Sequence, residues 1–204
     1  MRPKIEIAPG VTHYPEFLDR GEQEALRDAL REAAVQAPFF TPRMPGAGKP
    51  FTVRMTNLGP LGWVSDRDGY RYQRAHPETG RPWPPMPAKL LEIWQELAAG
   101  APPPEACLVN FYDATARMGL HQDRDERDFS VPLLSLSLGD AALFRLGGAE
   151  RRAPTRSFRL QSGDALILAG PARLAFHGID RVYPDTSTLL PKGGRINLTL
   201  RRVS

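Results

Sequence analysis

The 204-residue chain carries 27 Lys and Arg against 23 Asp and Glu, and 41% of its residues are hydrophobic, enough for one domain with a real core. No stretch approaches the roughly 18 uninterrupted apolar residues of a membrane span, and the opening MRPKIEIAPG lacks the apolar run of a secretory signal. No membrane association is therefore expected, and a cytoplasmic location is. The single cysteine, Cys107, excludes an internal disulfide and leaves any metal to His and carboxylate ligands.

The positive charge is unevenly placed. Arg145 to Ser204 hold eleven Lys and Arg against four Asp and Glu, whereas the first 144 residues hold sixteen against nineteen. A basic C-terminal part suits a polyanion such as nucleic acid, and it suits an ordinary solvated surface equally well.

In chain order, DRGEQEALRDALREAAVQ (residues 19–36) places Ala25, Leu26, Ala29, Leu30, Ala33 and Ala34 at helical spacing, with Asp19 and Glu22 as a D-x-x-E start signal. Phe39 to Pro87 follows, rich in Pro, Gly, Arg and aromatics. A stretch this long without periodicity is functional or disordered, and its aromatics argue against disorder. AKLLEIWQELAAG (residues 88–100) is a second amphipathic helix, with Leu90, Leu91, Ile93, Trp94, Leu97 and Ala98 recurring on one face and Gly100 at the stop. Both stripes read as core.

After Pro104 the pattern turns to short strand-like runs: CLVNFY, VPLLSLSL, AALFRL, RSFRLQ, DALILAG, RLAFHGI and RINLTLRRV, separated by Gly, Pro and Asp. No helix-length segment interrupts them, which argues against a parallel sheet and for a sandwich or jelly roll. There is no internal repeat or low-complexity tract.

The stretch GLHQDRDERD (residues 119–128) raises the question of chemistry. Residues two apart on an extended backbone face the same way, so His121 and Asp123 can present a nitrogen and an oxygen to one point. With four His and twelve Asp, about 0.24 H-x-D matches arise by chance, so the pair alone decides nothing. His177, on the apolar run RLAFHGI, changes the weighing. Two His and one carboxylate form the facial triad that holds non-haem Fe(II), and zinc accepts the same ligands. In RINLTLR, Arg195, Asn197, Thr199 and Arg201 alternate with Ile196, Leu198 and Leu200. Two guanidinium groups on one polar face suit a dicarboxylate, which a zinc hydrolase would not need.

Together NFY, LHQDRDERD, SLSLG, a paired glycine followed by Arg, FHGI and RINLTLR resemble the AlkB family of Fe(II)- and 2-oxoglutarate-dependent dioxygenases, over about residues 55–203. Upstream, MTNLGPLGW, GYRY and RPWPPMP resemble the nucleotide-recognition lid of the bacterial alkylated-DNA repair demethylases. The resemblance implies a mainly β chain with N-terminal helices (α+β). Residues 103–204 would form a double-stranded β-helix core, cupin-like, and residues 1–102 a helical extension with the lid at about 40–87, in one globular unit.

Carried over by position, the resemblance implies His121, Asp123 and His177 as Fe(II) ligands. It implies Asn110, Tyr112, Arg195, Asn197 and Arg201 as the 2-oxoglutarate site, with Arg195 on the distal carboxylate and Arg201 near the metal-bound end. Met55, Trp63, Tyr70, Tyr72, Asp125 and Arg151 match substrate-contacting positions. Arg124, Glu126, Arg127 and Asp128 read as solvated charge.

The implied activity is oxidative demethylation of alkylated bases such as 1-methyladenine and 3-methylcytosine, using dioxygen and releasing succinate, carbon dioxide and formaldehyde. An N-methylated base is cationic or easily becomes so, and the aromatic face of Trp63 and the carboxylate of Asp125 suit it. The expected partner is alkylated single-stranded or duplex DNA, with RNA left open, and the expected state is a monomer. A hydroxylase of a small molecule or protein side chain is the alternative. A non-enzymatic jelly-roll binding module is the third reading, and the complete set of His121, Asp123, His177, Arg195 and Arg201 counts against it.

Overall fold

The computed structural model describes residues 3–204; Met1 and Arg2, the first residues of the expected N-terminal part, lie outside them. Its elements are β1 (Ile5–Ala8), β2 (Val11–Tyr14), α1 (Arg20–Gln36), β3 (Arg54–Leu58), β4 (Gly62–Asp66), β5 (Gly69–Gln73), α2 (Ala88–Leu97), β6 (Ala106–Tyr112), β7 (Met118–His121), β8 (Leu133–Gly139), β9 (Ala141–Leu146), β10 (Arg156–Leu160), β11 (Ala165–Leu168), β12 (His177–Tyr183) and β13 (Arg195–Arg201). Among the described residues no helix is long and apolar enough to cross a membrane.

The expected start of α1 is a full capping box. Asp19 accepts from the Glu22 amide at 2.8 Å, and Glu22 accepts from the Asp19 amide at 3.0 Å. Such a cap contributes about 1 kcal/mol. The buried stripe is Gln23, Leu26, Leu30 and Ala33, whereas Ala25 is exposed. Gln23 takes the polar place because its amide donates to the Leu18 carbonyl at 2.9 Å and accepts from the Ser162 hydroxyl at 2.6 Å. In α2 the buried residues are Leu90, Ile93 and Trp94.

The strands form a seven-stranded sheet in the order β1-β2-β11-β8-β13-β6-β3, a four-stranded sheet in the order β10-β9-β12-β7, and a β4-β5 hairpin. All pairings between these strands are antiparallel. The two larger sheets pack face to face, with Leu108, Leu133, Leu166 and Leu168 of one meeting Phe144, Leu146, Leu160 and Ile179 of the other. The outer face of the larger sheet carries both helices: Leu26, Leu30, Leu90 and Trp94 join Val109, Leu134, Leu136, Leu138, Ile196, Leu198 and Leu200. This is the jelly-roll core that the sequence led us to expect.

The period of two on β8 and β13 builds the site. Ile196, Leu198 and Leu200 face the helices, and the alternate residues Arg195, Asn197, Thr199 and Arg201 face the interior between the sheets. Each fully buried leucine side chain contributes on the order of 2 kcal/mol, and slipping the register by one residue would turn that face to the wrong side.

Two parts of the architecture differ from expectation. The first hundred residues are not simply a helical extension: β1 and β2 extend one edge of the larger sheet, and β3 pairs with β6 at the other. The sheet therefore crosses the boundary placed at residue 102. Strand β12 begins only at His177, four residues into the expected run RLAFHGI, because a 3-10 turn at residues 170–172 with Pro171 inside it continues as a turn through Arg173 and Leu174. It then continues through Asp180, Arg181 and Tyr183. These polar residues lack alternation, and two of them are held by side-chain partners, Asp180 by Arg145 at 2.8 Å and Tyr183 by Arg159 at 4.2 Å.

Candidate metal and co-substrate site

His121 and His177 are direct register partners across β7 and β12, with ring centroids 4.6 Å apart. The strands close this tightly because residue 178 is glycine. A Cβ there would lie 2.4 Å from the Met118 carbonyl and 2.8 Å from that of Gly119. The Nδ1 of His121 faces the Gly119 carbonyl at 3.0 Å, and that of His177 faces the Ala175 carbonyl at 2.9 Å. A proton on each Nδ1 leaves both Nε2 lone pairs free for a ligand bond.

The Asp123 carboxylate stands 3.8 Å from His121 Nε2 and 3.6 Å from His177 Nε2. These separations exceed hydrogen-bond length, and all three candidate ligand atoms lie within 4.8 Å of one another, so the set could hold a metal ion. Burial, reinforced by the neighbouring His177, brings His121 down to about 4, which keeps its imidazole neutral, the form that binds metal. For Asp123 burial opposes ionisation, but Arg201 and the two imidazoles outweigh it and hold the carboxyl far below its ordinary range. Cys107 is buried, which pushes its thiol up to about 12 and keeps it out of any such chemistry.

Another part of the cavity is marked by what is missing from the protein's own bonding. Arg195 is 1% exposed; its Nη2 donates to the Ser137 hydroxyl at 2.8 Å, while Nε and Nη1 have no partner. No carboxylate pairs with it among the described residues, and burial lowers its affinity for a proton to about 10. Asn110 Oδ1 and Arg201 Nε are also buried and unpaired. Each orphan costs about 1–3 kcal/mol, so this concentration needs an external cause. A dicarboxylate fits, because its second carboxylate would satisfy the fork of a buried guanidinium.

Tyr112, opposite Arg195 in register, is buried, and its hydroxyl makes only a weak contact at 3.8 Å to the Met118 sulfur. Asn197 differs from these neighbours. Its Nδ2 donates to the Ser135 hydroxyl at 2.7 Å, and its Oδ1 accepts from Thr199 at 3.0 Å, so both amide ends are engaged within the sheet.

Arg201 sits in the opposite condition to Arg195. Its Nη2 donates to Asp123 Oδ1 at 2.9 Å, and its Nη1 reaches the Tyr72 hydroxyl at 3.0 Å and Glu126 Oε1 at 3.3 Å. Burial alone would lower its affinity for a proton, but Asp123, Tyr72 and Glu126 outweigh burial and raise it.

Glu126 corrects the reading of its stretch as solvated charge: its side chain is 0% exposed and also pairs with Arg173 at 3.2 Å. Arg173 in turn donates to the main-chain carbonyl of Asp123 at 2.8 Å. Nothing in the charge-dense run DRDERD distinguishes Glu126 from its exposed neighbours, because its burial depends on an arginine 47 residues away. Ser137 was also missed, although the alternation in SLSL puts it and Ser135 on the polar face.

Thirteen of the fourteen expected site residues line one cavity of about 630 Å³. At its mouth Trp63 stacks on Tyr70, with centroids 5.5 Å apart and planes at 21°, and its Nε1 donates to Asp125 at 2.7 Å. Tyr70 is 51% exposed, and the Arg151 guanidinium lies over Phe176 at 5.7 Å. Met55, on β3 opposite Asn110, forms part of the buried wall. Tyr72 is the exception. It is absent from the cavity lining, and its hydroxyl is bonded to Glu126 and Arg201.

Fold and site define an oxygenase of the iron and 2-oxoglutarate class, and the family model of the 2OG-Fe(II) oxygenase superfamily matches residues 10–201. Over 198 residues, 97% of this chain and 90% of the relative, the sequence is 58% identical to the alpha-ketoglutarate-dependent dioxygenase AlkB homolog of Caulobacter vibrioides. It is 40% identical over 200 residues, 96% and 91% of the two chains, to the alpha-ketoglutarate-dependent dioxygenase AlkB of Escherichia coli. The mouse nucleic acid dioxygenase ALKBH1 is 36% identical over 181 residues, 86% of this chain and 43% of that protein. The solved structure of OsALKBH1 matches with a TM-score of 0.85 at 30% identity, covering 98% of this chain and all of that one. The chain belongs to the AlkB family. It is a dioxygenase that uses Fe(II), 2-oxoglutarate and dioxygen.

Proposed function

We propose that this dioxygenase removes methyl groups from alkylated bases in nucleic acid, principally 1-methyladenine and 3-methylcytosine in single-stranded or duplex DNA, with RNA as a further substrate. The observation that carries the reading is a single cavity joining the His121, Asp123 and His177 set, the unsatisfied Arg195, and a mouth of Trp63, Tyr70 and Asp125. The mouse relative is named for action on nucleic acid, which supports the same substrate class.

In this reading His121, Asp123 and His177 hold Fe(II), which with 2-oxoglutarate and dioxygen supplies the oxidising power that converts an N-methyl group to formaldehyde. Arg195 anchors the distal carboxylate, with Asn110 and Tyr112 beside it, and Arg201 with Asn197 shapes the end nearest the metal. The β4-β5 hairpin is the lid over the nucleotide. Trp63 and Tyr70 offer aromatic faces, Asp125 offers a negative charge to a cationic base, and Arg151 lies where a phosphate or base edge would pass. Met55 shapes the wall. An alkylated base unpairs at lower cost than a normal one, so a pocket that takes a flipped base favours lesions. The proposal includes a monomeric state, which the resemblance implies, and a cytoplasmic location.

The test is an oligonucleotide bearing 1-methyladenine, incubated with Fe(II), 2-oxoglutarate and oxygen and read by mass spectrometry. Loss of the methyl group with formaldehyde and succinate in equal amounts is expected, and His121→Ala should abolish both. Succinate formed with a small molecule or peptide while the methyl group stays on the base would favour the hydroxylase reading instead.

A further inference from the structure

Tyr72 and Glu126 are each out of place for the simple roles their sequence suggests. Tyr72 lies on the hairpin strand facing the nucleotide cavity, yet its hydroxyl turns away to donate to Glu126 and accept from Arg201. Glu126 lies in a charged loop, yet it is sealed from solvent between Arg201 and Arg173. Those two arginines are the groups that hold Asp123: Arg201 grips its carboxylate at 2.9 Å, and Arg173 grips its main-chain carbonyl at 2.8 Å. One glutamate thus fixes both supports of one metal-binding residue, and one tyrosine ties that glutamate to the hairpin.

The hairpin is a separate two-stranded sheet, so its seat on the core depends on such attachments. Tyr72 is the register partner of Trp63, whose indole bonds Asp125 at 2.7 Å. The hairpin is therefore joined at two neighbouring points, Asp125 and Glu126, to the loop that also carries Asp123. Other ties of the hairpin come from β3, where Asn57 bonds the backbone of Trp63 at 3.0 Å, from Arg43, whose amide donates to the Ser65 carbonyl at 3.0 Å, and from Trp83, which donates to the Gln73 carbonyl at 2.9 Å; none of these touches that loop.

We propose that the Tyr72, Glu126 and Arg201 chain couples the seating of the hairpin to the orientation of the Asp123 carboxylate, making Tyr72 and Glu126 positioning residues rather than nucleotide contacts. A seated hairpin orders Glu126, which orders both arginines, which set the carboxylate. A displaced hairpin leaves Glu126 without its third partner and loosens Asp123. The chemistry supports a stiff connection, since every bond in the chain involves a charged group in a buried setting. The inference rests on the lid reading above only for the identity of what the hairpin covers.

The experiment measures Co(II) affinity and its ligand-field spectrum in the full chain with no nucleic acid present, so its outcome is independent of whether demethylation occurs. Tyr72→Phe keeps the ring and its packing and removes only the hydroxyl. It should weaken Co(II) binding about threefold to tenfold and shift the spectrum, while Glu126→Gln should weaken it about tenfold to a hundredfold, the range for partners that orient a ligand. The double variant should bind no more weakly than Glu126→Gln alone, because the two act in series. Should Glu126→Gln fail to fold, Tyr72→Phe carries the test by itself. Unchanged Co(II) affinity and spectrum in Tyr72→Phe overturn the proposal: with a raised KM for the methylated oligonucleotide, Tyr72 is a base contact; with no change in KM, it is packing.

Discussion

Strand β13 buries two arginines facing the same cavity, and they live under opposite conditions. Arg201, 4% exposed, is surrounded by Asp123, Glu126 and Tyr72. Arg195, 1% exposed, has a serine hydroxyl and two unpaired nitrogens. A buried guanidinium left with two unpaired nitrogens, beside one supplied with carboxylates, supports the proposal that the unpaired one is reserved for a ligand. On the proposed reading the difference separates a positioning charge, held largely by the protein's own partners, from a binding charge that the ligand must complete.

Breaking the satisfied arginine should do the most damage to the metal-free protein. Arg201→Leu strands Asp123 in the interior and leaves Glu126 with Arg173 as its one cation, a change that costs about 3–5 kcal/mol, or roughly 10 °C in melting temperature for a chain of this size. Differential scanning calorimetry checks it, and a shift within a degree of zero would contradict the comparison. Breaking the unsatisfied arginine should leave that melting temperature nearly unchanged, because Arg195→Leu removes a buried charge that no carboxylate pairs with directly. The same variant should bind 2-oxoglutarate about a hundredfold more weakly, on the order of 3 kcal/mol, as titration calorimetry would show.

A smaller effect is expected where the strands close. Gly178→Ala forces β7 and β12 apart at His121 and His177, costing about 1–3 kcal/mol of stability, with metal affinity falling further than 2-oxoglutarate affinity. Equal losses in both would mean that the glycine serves the fold alone.

The smallest effect is in acid. The carboxyl of Asp123 is depressed in the folded chain, so its contribution to stability is present above the ordinary carboxylate value of about 4 and lost as pH falls below that toward the folded value. Arg201→Leu removes the charge responsible for the depression and should move the acid transition to higher pH, whereas Arg201→Lys should leave it near that of the parent. Circular dichroism against pH distinguishes them.

The polar face that carries both arginines was legible in the sequence, and the partners of Arg201 were not. Arg195 and Arg201 stand on the polar face of RINLTLR because a strand has period two, and His177 is conspicuous on an apolar run. The supports of Asp123 carry no such mark. Glu126 and Arg173 are 47 residues apart, and only the folded chain makes them neighbours. The β4-β5 hairpin and β3 were hidden for a similar reason: their segment is punctuated by Pro and Gly, and its strands are held by neighbours such as β6 rather than by their own alternation.

Charge counts misled in a related way. Three of the eleven basic residues after position 144, Arg173, Arg195 and Arg201, are buried, so the surface of that half is less positive than its composition suggests.

The proposed role of the unpaired Arg195 guanidinium is to receive the second carboxylate of the co-substrate. Its most direct test compares, in the Mn(II)-loaded protein, the affinity for 2-oxoglutarate with that for 2-oxobutanoate, which lacks the distal carboxylate. A preference for 2-oxoglutarate of about a hundredfold in the parent chain, abolished in Arg195→Leu, is the predicted result. Equal affinity for the two acids in the parent, or a preference that survives in Arg195→Leu, would contradict it.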